Sequence, residues 1–379
     1  MRLFFIFLLT LSVHARTWTN FVGTQFEGVM TNTDGKEVTL KLKSGQSISL
    51  EVAKLSKEDQ QYLRRNHSRA SVGEEKWTNW DQKYPFNVTV SNQAYSVESV
   101  ENAKPGFYYE TTHFSFKSQV QLSTILVRKL AWYFETTHAY MEQLPLSFAR
   151  TQEVEKHKIL LVETAEDYYR NGGPQGSAGV YIPSSDLVMV PLSSLGVKKV
   201  GNRYTIDLAD QSNRTLSHEI VHALTDQAYF KAGALGWFTE GLAELVSVTP
   251  YKNGNYASFN AVNNVKQYVT YFDESSNRGR NLGSEIKVGS LERFFKMSYG
   301  QFAANGNFNY GVGALVVTYF LDLRRDQELK NIQKFLLALK EGKSGESALK
   351  ELLNGRTYLD LESSIKIAWQ GKGVKLKFK

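Results

Sequence analysis

Two histidines and a glutamate carry the clearest chemical signal in this chain. They fall in Leu216-Ser217-His218-Glu219-Ile220-Val221-His222-Ala223-Leu224-Thr225-Asp226. If that segment is helical, His218 and His222 lie one turn apart on one face. Two imidazoles at that spacing can bind one zinc ion, and Glu219 can reach a water held on the same ion. The arrangement suits metal-assisted hydrolysis, most often of a peptide bond. The plainer reading is a helix whose histidines are merely solvated. Leu216, Ile220, Ala223 and Leu224 argue against it, because they give an apolar stripe beside the histidines. A helix packed into a core by that stripe would hold the motif rigidly, as a metal site requires.

A third ligand is available downstream, in Trp237-Phe238-Thr239-Glu240-Gly241-Leu242-Ala243-Glu244-Leu245. A second helix beginning near Trp237 could present Glu240 to the ion. Glu244 follows one turn later on the same face. It could accept a hydrogen bond from the far nitrogen of a ligand histidine, fixing the ring and raising its basicity. Most glutamate pairs at this spacing line a solvated helix face. Here Leu242, Ala243, Leu245 and Val246 surround the pair, so the helix is expected to be buried, and a buried carboxylate needs a partner.

Together these residues resemble the gluzincin metallopeptidases, the group of thermolysin and aminopeptidase N. His222-Ala223-Leu224-Thr225-Asp226 is also similar to the thermolysin helix. The resemblance implies that His218, His222 and Glu240 bind Zn2+, that Glu219 is the general base, and that Glu244 is the acid behind the ligands. A weaker likeness over most of positions 105–370 is to secreted bacterial members of the group. Asn309-Tyr310-Gly311-Val312-Gly313-Ala314-Leu315 resembles an aminopeptidase pattern in which the tyrosine hydroxyl stabilises the oxyanion, which would make Tyr310 catalytic. Val312 stands where that pattern has lysine, and Tyr310 is one of 20 tyrosines, so it could equally serve a buried helix. The aminopeptidase loop that anchors a substrate's free amine has no counterpart. Its place is taken by Val180-Tyr181-Ile182 and Leu187-Val188-Met189-Val190-Pro191, two expected strands with a turn at Pro183-Ser184-Ser185. In gluzincins an edge strand before the zinc helix pairs with the substrate backbone, and one of these strands is expected to do so.

The chain has 379 residues, no cysteine, 42% hydrophobic and 13% aromatic residues. It can bury a large core without disulfide staples, and any metal site must use imidazole and carboxylate ligands. A formal charge of +7, with no long basic tract, spreads thinly over that length and excludes nothing by itself. At the start, Leu3-Phe4-Phe5-Ile6-Phe7-Leu8-Leu9-Thr10-Leu11 after Arg2, with Val13 and Ala15, reads as a secretory signal peptide over residues 1–15. Secretion or a periplasmic location follows from that reading, with an uncleaved anchor as its alternative. No later stretch is long enough to span a bilayer.

The elements around the motifs fall into an expected α+β order, strands first and helices after. Residues 16–66 alternate as short strands, with turns at Asp34-Gly35-Lys36 and Gly45-Gln46 and a helix start capped by Ser56. They resemble the small SH3-like β-barrel of a yeast endocytic adaptor, where it binds short peptides. Trp18 is expected in a mini-core rather than a groove. Residues 67–84 read as a linker, and 85–379 as the gluzincin-like domain. Within it, strands are expected at Tyr108–Thr112, His113–Phe116 and Ile159–Val162, the last of them central. Helices are expected over about 120–142, 258–272, 311–325, 328–341 and 344–353. The expected function is zinc-dependent peptide hydrolysis outside the cytoplasm on a peptide or protein substrate, with a protein or cell-surface partner conceivable for 16–66 and no nucleic acid. The alternative is an inactive zincin-like binding protein that works through its N-terminal module.

Overall fold

Short runs of alternating apolar residues build the first part of the chain, and mixed strands and helices build the rest. The structure, a computed structural model, describes residues 16–20, 23–33, 37–42, 44–60, 63, 83–100, 105–146, 156–201, 203–205, 214–271 and 279–379. The signal-peptide reading of residues 1–15 and most of the expected linker lie outside these. The chain divides into two compact units, Met1–Trp77 and Thr78–Lys379.

In the first unit, β1 (Arg16–Thr19), β2 (Gln25–Thr33), β3 (Glu37–Leu42) and β4 (Ser47–Glu51) form an antiparallel meander in sequence order. The expected barrel is, among the described residues, an open four-stranded sheet. Trp18 is buried with Val38, Leu40, Val52 and Leu55, and its indole N–H donates to the Gly28 carbonyl at 3.0 Å. It therefore sits in a small core, as its indole's size favours. Ser56 caps the following helical turn by accepting from the Asp59 amide at 3.1 Å. Asp59 is buried and bonded to the Arg16 guanidinium at 2.7 Å and the Thr19 amide at 2.7 Å, which ties that turn to β1.

The second unit is α+β. After β5 (Val88–Thr89), the main sheet is built from β6 (Glu98–Val100), β7 (Phe107–Glu110), β8 (Phe114–Ser118), β9 (His157–Val162), β10 (Val180–Ile182) and β11 (Leu187–Pro191). Their order is β10-β11-β9-β8-β7-β6, so β9 is central and β10 is an edge. β9 runs parallel to both neighbours, and the helix Thr124–Gln143 makes the crossover between β8 and β9. That helix starts where the Ser123 hydroxyl accepts from the Leu126 amide. In its first turn Ile125 is 71% exposed, and Leu122 packs from the segment before the helix. Tyr84, at the end of the expected linker, is buried in this unit with its hydroxyl 3.2 Å from that of Tyr140.

Strands do not all precede helices. β12 (Lys198–Val200) and β13 (Arg203–Thr205) form a hairpin, while β14 (Tyr251–Lys252) pairs with β15 (Asn255–Tyr256), which returns to pair with β5. β16 (Glu285–Gly289) waits for β17 (Lys375–Phe378), the last element, and pairs with it in parallel. The helices of the second half are Ala261–Thr270, Leu291–Phe295, Tyr299–Ala304, Gly306–Thr318, Arg325–Lys340, Glu346–Leu353 and Tyr358–Gln370. The helix expected over 311–325 starts earlier, at Gly306, and its last turn, Tyr319–Leu323, is π-helical. The last helix was not anticipated, although Thr357 and Asp360 form a capping box at its start.

A second group of histidines braces the long helix against the sheet. The His113 amide and ring both bond Glu135, the ring at 2.6 Å, and His138 stacks on His113 with ring centroids 3.7 Å apart. Burial, helped by the neighbouring His113 and His157, pushes the His138 imidazole from 6.5 down to about 3. Folded His138 therefore stays neutral while the unfolded chain takes up a proton below about pH 6.5. Stability from this group is complete above that pH and falls as pH drops toward 3. Each tenfold gap in proton affinity is worth about 1.4 kcal/mol. In urea unfolding, wild type should lose stability between pH 7 and pH 4, and His138→Gln should lose distinctly less. Equal losses would remove His138 as the cause.

Candidate metal centre

The apolar stripe of the motif segment does what its spacing requires. Residues Arg214–Leu224 form a helix, hereafter the motif helix, with Leu216, Ile220, Val221, Ala223 and Leu224 buried. Residues Trp237–Val248 form the glutamate helix, which packs against it. The glutamate helix opens at Gly236, whose φ of 95° is left-handed, and whose Cβ would lie 2.9 Å from the Phe302 ring. Trp237 anchors it among aromatics, with the Phe295 ring centroid 4.4 Å away.

These two helices bring three ligand atoms to one point. His218 Nε2, His222 Nε2 and Glu240 Oε2 are each 3.1 Å from the other two. Four donors around an ion at about 2.0–2.1 Å would stand about 3.3 Å apart, so the triangle is close to the size of a tetrahedral zinc face. Glu244 Oε1 lies 3.3 Å from His218 Nδ1, the far side of that ring. A proton shared there leaves Nε2 with its lone pair toward the triangle. All four residues stand where the sequence places them, and His218, His222 and Glu240 are the group of described residues able to hold an ion.

Charge makes the same demand. Glu219, Glu240 and Glu244 are all buried, and the Arg280 guanidinium meets one of them, with Nη2 2.8 Å from Glu244 Oε1. Burial pushes the Glu219 carboxyl up, assisted by Glu240 and only partly offset by the two histidines. Burial alone would raise Glu240 and Glu244 as well. His222 and His218 outweigh it at Glu240 and hold it far below the usual range; Arg280 and His218 bring Glu244 to about 2. Burial opposes a charge on His218, yet bonds to Glu240 and Glu244 overcome it and hold the imidazole's proton affinity high. Three buried carboxylates beside one guanidinium need further positive charge, from protons on the imidazoles or from a bound cation, and imidazole-carboxylate donors suit zinc. The residues fit the ion that the sequence implied.

Glu219 lies close to the chain that leads into β10. Gly179, just before that strand, leaves room for it, since a Cβ there would meet Glu219 Cγ at 3.0 Å. The Tyr181 hydroxyl donates to Asp186 and accepts from Gln227, at 3.2 and 3.1 Å, which braces the β10–β11 hairpin.

Tyr310 comes from the helix Gly306–Thr318, which runs back to back with the glutamate helix. Two glycines allow the approach: a Cβ on Gly241 would lie 2.5 Å from the Gly313 carbonyl oxygen. The Tyr310 ring is half-buried, 6.2 Å from the His218 ring and 5.0 Å from the Arg280 guanidinium. Val312, where the aminopeptidase pattern has lysine, is buried. Two residues here escaped the sequence reading. Tyr299 donates its hydroxyl to Glu240 Oε1 at 3.1 Å, and Arg280 bonds Glu244. Nothing in the spacing marks Tyr299 among the tyrosines. Arg280 had a signal, because a buried Glu244 beside one imidazole still lacks a counter-charge.

His218→Ala, His222→Ala and Glu240→Ala should each weaken zinc binding sharply in a competition titration. Glu244→Ala should weaken it about 10–100-fold, as loss of a ligand's hydrogen-bond partner does. If Glu244→Ala abolishes binding and Glu240→Ala spares it, the third ligand is one turn away from Glu240.

No family model matches the chain, and no curated protein matches it. The likeness to gluzincins rests on the motif residues themselves.

Proposed function

We propose that this chain is a zinc-dependent peptidase of the gluzincin type, acting outside the cytoplasm. The observation that carries the reading is the convergence of His218, His222 and Glu240 on one point, with buried Glu219 beside them and against Gly179, which leads into the strand that is the sheet's edge among the described residues. When bound, zinc would polarise the scissile carbonyl and lower the pKa of the attacking water.

The chain's own residues supply the rest. An extended peptide lies along the free edge of β10 and pairs with its backbone, as an added strand. Glu219 takes a proton from the attacking water as its oxygen bonds the carbonyl carbon. Glu219, now a carboxylic acid, then returns that proton to the nitrogen as the C–N bond breaks. A carboxyl whose pKa is raised by burial suits both transfers. Tyr310 donates a hydrogen bond to the carbonyl oxygen as negative charge develops there. Glu244 and Arg280 hold His218 in the tautomer that keeps Nε2 unprotonated.

The test is casein cleavage by the purified protein with and without chelator, alongside Glu219→Gln. The amide leaves the ligands intact and cannot accept the water's proton. Glu219→Gln should hold zinc as wild type does and lose hydrolysis by roughly 100-fold or more. Full activity in the zinc-loaded variant would contradict Glu219 as the base. Zinc binding by wild type with no cleavage of any peptide would favour the binding-protein reading instead.

A further inference from the structure

The two oxygens of Glu240 have different surroundings. Oε2 lies 3.1 Å from both ligand imidazoles, while Oε1 accepts the Tyr299 hydroxyl at 3.1 Å. Tyr299 comes from the helix Tyr299–Ala304, which supplies none of the ligands. Its ring is 42% exposed, so packing alone does not hold the hydroxyl in place. The supporting frame is rigid. Ser298 and Gln301 form a capping box, and buried Asn309 donates to the Phe302 carbonyl at 2.6 Å, tying this helix to the one that carries Tyr310. Among the described residues no hydrogen bond joins Tyr310 to Glu240, so the bond to Oε1 belongs to Tyr299.

A carboxylate with a free second oxygen can close on a metal through both oxygens. Chelation of that kind adds a donor, raises the coordination number above four and crowds the position that a hydrolytic site must leave for water and substrate. A hydrogen bond to the second oxygen opposes it, because the hydroxyl must be given up first. We propose that Tyr299 is a positioning residue that restricts Glu240 to a single donor oxygen and so keeps one coordination position open. The role presupposes the metal centre proposed above. Tyr299 then sets the coordination number rather than the strength of binding, which distinguishes it from Glu244.

Cobalt(II) reports that number directly. A four-coordinate cobalt ion lacks an inversion centre and absorbs visible light more strongly than a five- or six-coordinate one. The full-length protein, Tyr299→Phe and Tyr310→Phe would each be stripped with chelator, reloaded with one equivalent of cobalt(II), and read by visible absorption and by competition titration. Tyr299→Phe removes one oxygen from an exposed ring, and circular dichroism checks that the fold is kept. The variant should bind cobalt within about tenfold of wild type while its absorption drops several-fold. Tyr310→Phe should keep the wild-type spectrum. An unchanged spectrum in Tyr299→Phe overturns the role. So does an equal drop in Tyr310→Phe, or a loss of affinity in Tyr299→Phe beyond about 100-fold, which would mark a ligand support instead. Wild type that takes up no cobalt sinks the metal centre itself, a result separate from all of these.

Discussion

Burying a carboxylate costs several kcal/mol unless charge and hydrogen bonds compensate it. Glu219, Glu240 and Glu244 are all buried on two neighbouring helices, within the main hydrophobic core of the larger unit. Arg280 answers one of them. The remaining negative charge falls on His218 and His222, whose ring nitrogens stand 3.1 Å apart beside the same carboxylate oxygen. Two imidazoles and a carboxylate at that separation are best satisfied by a single cation at their centre. Tyr299, Tyr310 and the edge strand β10 all gather around that unmet demand.

Backbone approach makes the gathering possible. Gly241 and Gly313 let the glutamate helix and the Tyr310 helix touch through their main chains. Gly179 lets Glu219 lie against the segment that leads into β10. A methyl group at Gly241 would meet a carbonyl oxygen at 2.5 Å and push apart the residues that the centre needs together. Asn307 and Asn309 add cross-ties from the Tyr310 helix to Arg280 and to the Tyr299 helix. The positions of the functional side chains are thus set by small residues and amides that do no chemistry.

Much of the centre is legible in the sequence because helix periodicity is strict. Four-residue spacing puts His218 over His222 and Glu240 below Glu244, whatever the rest of the fold does. The apolar residues between them identify both segments as buried helices, and the structure has them at Arg214–Leu224 and Trp237–Val248. Contacts between distant segments are not written that way. Tyr299 reaches Glu240 across 59 positions and Arg280 reaches Glu244 across 36, with no local pattern to mark either. The late pairing of β16 with β17, and the first unit's open sheet in place of a barrel, are likewise long-range outcomes. Ile125 shows a limit of another kind: it is apolar, yet it shares its helix face with exposed Arg128 and Lys129, away from buried Leu126 and Leu130, and stands in solvent.

The central claim is that one ion sits among His218, His222 and Glu240. A crystal of the zinc-loaded protein, with anomalous diffraction recorded on both sides of the zinc edge, tests it most directly. The account predicts a single strong anomalous peak about 2.0–2.1 Å from His218 Nε2, His222 Nε2 and one oxygen of Glu240, with a further coordination position open toward Glu219. An empty triangle in fully loaded protein, or a peak held by other residues, would contradict it.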